Sequence, residues 1–346
     1  MYTSYYNLRE EPFRLTSDPK FFHLAAPHAA ALATLVEAVM RRKGFVLMSG
    51  PIGTGKTTVL HAALQILAER SPVSNPIASA FVHNPTLNRE EFLEMILSEF
   101  DITCAGNSKP VRLAALHQML LKTQREGSTA VLLVDEAHLL SSDLLEEIRL
   151  LSNMDTYAEK LLQIVLCGQP ELLTVLNRPE LRALQQRVAT SCALRPLSFP
   201  EMRAYIAERL HAAGFRGPTS PFPGPALEGI YKYTRGVARM INLLCDACLS
   251  IGCKTERPLV QLDMVEQAAA ELGLSDSVPV SVVQKTVVAP PNVEEPVSVA
   301  VPIPVVQRQA AVPVVEKERV QYQVVESAVD MLIRAMKQRR SYTPGE

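Results

Sequence analysis

The sequence predicts a doubly wound parallel α/β sheet, then a small all-α domain, then a tail rich in proline and valine. Three observations support this prediction. Short apolar runs alternate with helical stretches as far as residue 198, only helical stretches follow up to residue 273, and prolines recur after that. The predicted divisions are an α/β domain at 1–198, a helical domain at 199–273, an extended linker at 274–320 and a terminal segment at 321–346.

Five apolar runs are predicted to form the strands of the sheet. They cover residues 45–49, 78–82, 130–134, 162–167 and 192–197. The runs FVLMS, VLLV and LQIVLC are almost entirely apolar, which is typical of strands that are covered on both faces. Because parallel sheets carry helices on both faces, these runs favour a parallel α/β sheet.

Helical stretches separate the strands and then continue without them. The predicted helices of the first part cover residues 57–69, 89–100, 112–126 and 142–153. Those of the second part cover residues 200–213, 225–233, 237–251 and 262–272. Four consecutive helices with no strand between them predict a separate small helical domain.

The last part of the chain has a different composition. Repeated prolines remove backbone donors and block both helix and sheet interiors, so residues 274–320 are predicted to be an extended linker. Apolar residues at 322–339 fall on one helical stripe, which predicts a short helix able to dock on a partner. A disordered extension is the alternative interpretation.

Bulk properties narrow the class of protein. The net charge of -1 argues against binding of nucleic acid or anionic lipid through the overall charge of the chain. Six cysteines are too sparse for a disulfide scaffold. The N-terminal residues MYTSYYNLREEPF do not resemble a signal peptide, and no apolar stretch reaches the length of a spanning helix. We therefore expect a cytoplasmic protein without a membrane span.

One segment predicts a site for ATP. The run Gly50-Pro-Ile-Gly-Thr-Gly-Lys-Thr matches the pattern G-x-x-x-x-G-K-[ST], follows the apolar run FVLMS and precedes a predicted helix. Such a loop wraps phosphates with backbone N–H groups, its lysine reaches the β- and γ-phosphates, and its threonine binds Mg²⁺. The predicted nucleotide-binding residues are Gly50, Pro51, Ile52, Gly53, Thr54, Gly55, Lys56, Thr57, Thr58 and Asp135.

A second motif supplies two carboxylates at a strand end. In VLLV-Asp135-Glu136, Asp135 is predicted to bind Mg²⁺ together with Thr57, and Glu136 to activate the attacking water. The letters Asp-Glu-Ala-His also spell a helicase motif, but a second RecA-like domain has no place in this chain. His138 is therefore predicted to have a local hydrogen-bonding role.

The chain resembles the AAA+ ATPases of the general secretion pathway protein A (ExeA-like) family. The resemblance covers about residues 2–272. Its features are YYNLREEPFRLTSDPKFF, His28 before an Ala-rich helix, KGFVLMSGPIGTGKTT, VLLVDEAHLL, LQIVLCGQPEL, LQQRV and GVARMINLLCDACL. The family usually has Gly-Ile-Pro-Arg where this chain has Gly-Val-Ala-Arg. The resemblance also implies that the N-terminal segment, residues 2–28, packs near the adenine pocket.

The resemblance implies three further catalytic residues besides Lys56 and Glu136. Gln169 matches the sensor 1 position, and Arg239 matches sensor 2 on the helical lid. Arg187 matches the arginine finger, which a subunit offers to its neighbour's ATP, so a homo-oligomer is implied. Arg182 and Arg195 are alternative fingers.

Several functions are compatible with these features. We expect an oligomeric ATPase that couples Mg²⁺-dependent ATP turnover to the assembly or remodelling of a partner complex, with secretion or the envelope as its setting. A DNA-associated ATPase of the transposition-helper or initiator type is the alternative, and a non-hydrolysing switch is a third. The Cys245-x-x-Cys248 pair, with Cys253, is predicted to supply core thiols rather than a zinc site.

Overall fold

The computed structural model describes residues 2–15, 24–71, 76–83, 86–156 and 159–274. Within them, five strands form one sheet: β1 Phe45–Ser49, β2 Ala78–Val82, β3 Ala130–Val134, β4 Leu162–Gly168 and β5 Val188–Ala193. Their order across the sheet is β2-β3-β4-β1-β5, and all neighbouring pairs are parallel. The predicted linker and terminal helix lie outside the described residues from position 275 onwards.

The central strands explain why the sequence could predict this sheet. Every residue of β1, β3 and β4 is buried, as expected for strands that helices cover on both faces. The first four strands lie where their apolar runs predict them. At β1 and β4 the connections run in opposite directions across the sheet, since the one after β1 leads to β2 and the one after β4 leads to β5. The loops that follow these two adjacent strands therefore meet at the carboxyl edge of the sheet.

The fifth strand was predicted wrongly. It covers Val188–Ala193 and not residues 192–197. Its side chains alternate between half-buried and exposed and are mostly small, with the polar Thr190 and Ser191 in the middle, so it carries no run of large apolar residues. The apolar residues that suggested a strand have other roles: Leu194 contacts Gly50, and Leu197 packs in the helical part.

Helices flank the sheet on both sides. Those of the α/β part are α2 Ala26–Met40, α3 Lys56–Arg70, α4 Arg89–Glu99, α5 Lys109–Arg125, α6 Ser142–Leu151, α7 Glu171–Leu176 and α8 Arg182–Gln185. Local signals define several ends: Asn88 and Glu91 form a capping box at α4, and Ser141 caps α6. The four predicted helices of this part are confirmed within three residues at each end.

The second part of the chain is helical, as predicted. It contains α9 Phe199–Ala212, α10 Gly224–Thr234, α11 Ala238–Lys254 and α12 Leu262–Glu271. These helices enclose a hydrophobic cluster of their own, separate from the cluster under the sheet. Residues 1–274 nevertheless form one compact unit, and the boundary at residue 198 stays a prediction.

The N-terminal segment belongs to the helical cluster and not to the sheet. It begins with a single helical turn, α1 Tyr2–Tyr5, and its side chains of Tyr2, Tyr6, Leu8 and Phe13 are buried in that cluster. The Tyr2 hydroxyl is hydrogen-bonded to Asp246, and that of Tyr6 donates to the carbonyl of Arg257. The first residues of the chain therefore pack with helices α9 to α12, the helical part that we call the lid.

A buried arginine holds this segment in place. Arg209 of α9 is buried, and its guanidinium donates to the carbonyls of Pro12 over 2.6 Å and Arg14 over 3.1 Å. It also donates to the Tyr205 hydroxyl over 2.7 Å. Because the bonds to Pro12 and Tyr205 are screened from water, the loss of their donor is costly.

We expect Arg209→Leu to lower the free energy of unfolding by about 2–4 kcal/mol, since buried acceptors lose a charged donor. Denaturant unfolding of both proteins in one buffer measures the difference. Arg203→Leu, at an exposed position of the same helix, is the matched control and should change stability by about 0.5 kcal/mol or less. Equal effects of the two substitutions would contradict this anchoring role.

Candidate functional site

The predicted phosphate loop connects β1 to α3 at the carboxyl edge of the sheet. Gly53 and Gly55 have positive φ angles of 75° and 93°, which residues with a side chain adopt only with strain. A hydrogen bond within the loop stabilises its turn, because the Thr54 hydroxyl donates to the carbonyl of Pro51 over 2.8 Å. The loop ends where α3 begins, at a helix N-terminus whose first N–H groups can bind an anion.

The ammonium of Lys56 lies within this loop. Only 5% of Lys56 is exposed, and its Nζ donates to the carbonyl of Gly50 over 2.9 Å and to that of Pro51 over 3.2 Å. Neutral carbonyls compensate a buried charge incompletely, and a phosphate oxygen does so better. Thr57 and Thr58 follow in the first turn of α3, both half-buried.

The predicted magnesium ligands lie in direct contact. The Thr57 hydroxyl donates to Oδ2 of Asp135 over 2.5 Å, and Asp135 is almost fully buried at the end of β3. Its other oxygen, Oδ1, accepts the backbone N–H of Glu136 over 2.9 Å. A hydroxyl and a carboxylate that converge in this way are hard oxygen ligands, so the residues fit Mg²⁺.

Glu136 has an unusual backbone and a carboxylate oxygen without a donor. Its φ angle is 50°, a strained conformation for a residue with a side chain. Its Oε2 is buried 3.3 Å from Nδ1 of His138, but the same Nδ1 faces the backbone N–H of Gln169 at 3.5 Å. An Nδ1 that accepts from Gln169 has no proton for Glu136. Among the described residues, Oε2 has no hydrogen-bond donor, so a water molecule could donate to it.

His138 makes local contacts in the structure, and its hydrogen-bonding role stays a prediction. It lies in a 3₁₀ turn, Ala137–Leu139, and connects the segment after β3 to the segment after β4. Gln169 follows β4 directly, between the strands that carry the loop and the carboxylates. The structure thus brings Gln169 to the same edge as Lys56 and Glu136.

A thiol lies next to Asp135. Cys167 is fully buried near the end of β4. Burial, together with the nearby carboxylate of Asp135, raises the pKa of the Cys167 thiol well above its usual range. The thiol is therefore neutral at physiological pH and adds no negative charge to the site.

Arg239 reaches the site from the helical part. It lies in the first turn of α11, where its backbone N–H donates to the carbonyl of Gly53 over 3.1 Å, and its side chain is exposed. A Cβ atom on Gly53 would lie 2.9 Å from Cβ of Arg239 and 3.1 Å from the Val237 side chain. The lid therefore rests directly on the phosphate loop.

This close approach leads to a prediction for Gly53→Ala. The new methyl group meets α11, and the positive φ angle adds strain of about 1–2 kcal/mol, so we expect ATP affinity to fall about tenfold. Titration with a fluorescent ATP analogue measures the change. Gly44→Ala is the control, because Gly44 has a similar φ of 87° and lies at the start of β1, away from the loop. Equal affinities of the two variants would contradict the prediction.

Arg187 lies at the opposite edge of the sheet. It precedes β5, whose residues pair with β1 from Phe45 to Ser49, so it is roughly 16–20 Å from the loop at the far end of β1. Its Nη1 donates to the Ser152 hydroxyl over 2.6 Å. The structure therefore does not bring Arg187 together with the other predicted residues of the same chain.

The two alternative arginines differ in their surroundings. Arg182 is exposed at the start of α8. Arg195 forms a bidentate ion pair with Glu201, with both N–O distances 2.8 Å. Arg182 is therefore free to face a neighbouring subunit, whereas Arg195 has an intramolecular partner.

Sequence reasoning assigned no role to one residue at this site, His28. The residue lies in the first turn of α2 and is buried, and its Nε2 is 2.8 Å from the carbonyl oxygen of Thr54 in the loop. The sequence offered only the position of a histidine before an alanine-rich helix, and no spacing pattern links it to a loop 26 residues later.

The cysteines line the protein interior without forming bridges. All six are free, and Cys245 and Cys248 are buried in the helical cluster. Burial raises the pKa of Cys192 to about 11 and that of Cys248 to about 12. In the part of the chain that the structure describes, no group of three or more His, Cys, Asp or Glu residues could hold a metal ion. Across the same described residues, none of the helices has the length and apolar character needed to cross a membrane.

Comparisons with known proteins agree with this geometry. A family model described as an AAA domain matches residues 39–176. The chain is 38% identical over 253 residues to the general secretion pathway protein A of Aeromonas hydrophila, which covers 72% of this chain and 44% of that protein. The chain thus spans less than half the length of this curated relative.

Solved structures share the fold at low sequence identity. The ORC2 protein of Aeropyrum pernix, solved in ADPNP–ADP complexes, has a TM-score of 0.56 and 15% identity, covering 76% of this chain and 71% of its own. Cdc6p of Pyrobaculum aerophilum has a TM-score of 0.58 and 17% identity, covering 75% and 70%. Drosophila ORC bound to DNA has a TM-score of 0.59 and 19% identity, covering 77% and 65%.

These structural likenesses establish the fold, and the sequence likeness narrows it to one group. The parallel sheet, the phosphate loop and the lid that rests on it are the features of a AAA+ P-loop protein. Residues 39–176 match an AAA domain, and the chain is similar over 72% of its length to a general secretion pathway protein A (ExeA-like) ATPase.

Proposed function

We propose that this chain hydrolyses ATP with Mg²⁺ and couples the turnover to the assembly or remodelling of a partner complex. One observation carries the proposal. At the carboxyl edge of the sheet, the Thr57 hydroxyl meets the Asp135 carboxylate at 2.5 Å, and the next residue, Glu136, has a buried oxygen to which none of the described residues donates. A site that only bound nucleotide would have little use for this last carboxylate.

The phosphate loop would bind the triphosphate. Residues 50–58 supply backbone N–H groups and the N-terminus of α3, and Lys56 would exchange its two carbonyl acceptors for phosphate oxygens. Thr57 and Asp135 would hold Mg²⁺, which when bound neutralises charge on the β- and γ-phosphates.

Glu136 would act on the attacking water. Because Oε2 has no donor among the described residues, the oxygen can accept a proton from water and hold that molecule in line with the γ-phosphate. Gln169 lies beside it, at the end of the adjacent strand, and is proposed to hydrogen-bond the γ-phosphate or the same water. The lid residue Arg239 is proposed to neutralise charge on the transferring phosphoryl group.

Arg187 is proposed to act on the ATP of a neighbouring subunit. It cannot reach its own phosphate loop, since the length of β5 and β1 separates them. A residue at the far edge of one subunit can meet the open carboxyl edge of the next when subunits pack in the same direction. The active form in this proposal is therefore a homo-oligomer with sites shared between subunits.

The setting of this activity follows from the curated relative. Since that relative is a general secretion pathway protein A, we propose secretion or the envelope as the place of the partner complex, with the chain itself in the cytoplasm. The partner stays unidentified.

Phosphate release as a function of protein concentration, with Mg²⁺ and with excess chelator, tests the proposal. We expect hydrolysis that needs Mg²⁺ and a specific activity that rises with concentration, because assembly creates complete sites. A Mg²⁺-dependent rate that is strictly proportional to protein concentration would reject the shared sites. Nucleotide binding without any turnover would favour the non-hydrolysing switch.

The DNA-associated alternative receives one observation in its favour. The fold matches Drosophila ORC, whose structure was solved bound to DNA, although identities below 20% carry the fold alone. Anisotropy of a labelled duplex at physiological salt decides between the two functions. Weak binding is expected for a net charge of -1, and tight binding with a steep salt dependence would favour this alternative.

A further inference from the structure

We propose that His28 is a positioning residue of the ATPase site, which fixes the peptide between Thr54 and Gly55 so that the phosphate loop is preformed for nucleotide. The inference rests on the proposed nucleotide binding of this loop. It assigns a role to a side chain that belongs neither to the loop nor to the carboxylate motif.

A hydrogen bond connects His28 to the phosphate loop. Nε2 of His28 lies 2.8 Å from the carbonyl oxygen of Thr54, and both residues are almost fully buried, at 4% and 2% exposed. A carbonyl oxygen can only accept, so Nε2 must carry the proton. Without this donor, a buried carbonyl in the phosphate loop would be left to find another partner.

The backbone of Gly55 needs an external contact to fix its conformation. Glycine populates positive and negative φ angles about equally, so the loop sequence alone does not select the angle of 93° observed here. The peptide between Thr54 and Gly55 could rotate in a loop that was held only by its own residues. The bond from His28 removes that freedom, because it holds the carbonyl end of this peptide in one orientation.

The imidazole of His28 also packs against the loop. A Cβ atom on Gly55 would lie 3.2 Å from Nε2 of His28, so the imidazole rests directly on the loop. The histidine is itself held firmly, since α2 buries Leu32, Leu35 and Val39 on one face and packs against α3. A rigid helix therefore carries the donor to the loop.

The protonation state of the His28 imidazole is also suited to holding the loop. Burial lowers the pKa of His28 below its ordinary value of 6.5, and Arg195 lowers it further, although the bond to Thr54 and the charge of Glu201 act in the opposite direction. The neutral imidazole therefore predominates at pH 7. It donates to Thr54 without placing a fixed charge under the phosphates.

Three variants of the full chain test the proposal: His28→Gln, His28→Asn and His28→Leu. The amide nitrogen of Gln reaches about as far as Nε2 of His, whereas that of Asn is one methylene shorter. We expect the Leu and Asn variants to bind a fluorescent ATP analogue and ADP about tenfold more weakly. The Gln variant should stay within about threefold of the wild type. In hydrolysis, KM should rise with little change in kcat, since the loop still forms once nucleotide is bound.

Unfolding midpoints without nucleotide are measured in parallel. If His28 had only a structural role, the nucleotide affinities of the variants would follow their unfolding midpoints. The Leu variant, which restores apolar packing, would then bind nucleotide more tightly than the Gln variant. That order of affinities would overturn the proposal, as would equal affinities of all three variants and the wild type. A wild-type protein that binds nucleotide but does not hydrolyse it defeats only the proposed function, because the affinities still decide the role of His28. A wild type that binds no nucleotide overturns both.

Discussion

Replacement of Arg187 by Ala is expected to reduce the ATPase rate of the assembled protein by about a thousandfold or more, which is the range for an arginine that stabilises the transferring phosphoryl group. Binding of ATP should stay close to that of the wild type, because Arg187 lies at the far edge of its own sheet. Single-turnover hydrolysis at high protein concentration, with nucleotide affinity measured separately, distinguishes the two effects.

Two controls separate catalysis from structure in this experiment. Arg187 donates to the Ser152 hydroxyl, so Ser152→Ala removes the same local contact and should leave most of the rate intact. Arg182→Ala, at an exposed position five residues earlier in the chain, tests the alternative finger. If Arg182→Ala abolishes turnover and Arg187→Ala does not, the assignment of the finger is wrong.

A mixing experiment tests the shared site directly. Arg187→Ala and Glu136→Gln subunits are each expected to be inactive alone. When they are mixed, some interfaces combine an intact Glu136 with an intact Arg187 from the neighbour, and part of the activity should return. A mixture that stays inactive, although size-exclusion chromatography shows that the two variants assemble together, would contradict action between subunits.

The second large effect is expected for Glu136→Gln. An amide has the size of the carboxylate but cannot take a proton from water, so kcat should fall by about 10²- to 10⁴-fold. Affinity for ATP and Mg²⁺ should be nearly unchanged, because Asp135 and Thr57 make the contact that fits the ion. Steady-state hydrolysis and equilibrium binding of a fluorescent ATP analogue measure these two properties.

Glu171→Gln is the matched control for this substitution. Glu171 is exposed in the first turn of α7, which follows β4 at the same edge of the sheet. Its replacement changes the charge near the site by the same amount without touching the water position. Similar losses in the two variants would mean that charge alone, and not the carboxylate of Glu136, determines the rate.

Much of the fold was predictable because the relevant signals are local. The runs at β1, β3 and β4 are almost entirely apolar, and Gly50 to Thr57 follow such a run and precede a helix. The bounds of β5 were predicted wrongly because this strand lies at the edge of the sheet and has mostly small side chains. At an edge, pairing with β1 decides the strand, and pairing is not visible in a single segment.

The features of the candidate site also fall into two groups, those that local sequence predicts and those that only the fold shows. The sequence by itself determined the phosphate loop, the carboxylates and the helical composition of the second part, because each depends on residues close together in the chain. Only the tertiary structure decided that Arg187 lies away from its own loop, that residues 2–13 pack in the lid and that His28 holds Thr54. These contacts join residues far apart in the chain, and their free energy depends on burial and distance, which appear only when the helices pack on the sheet.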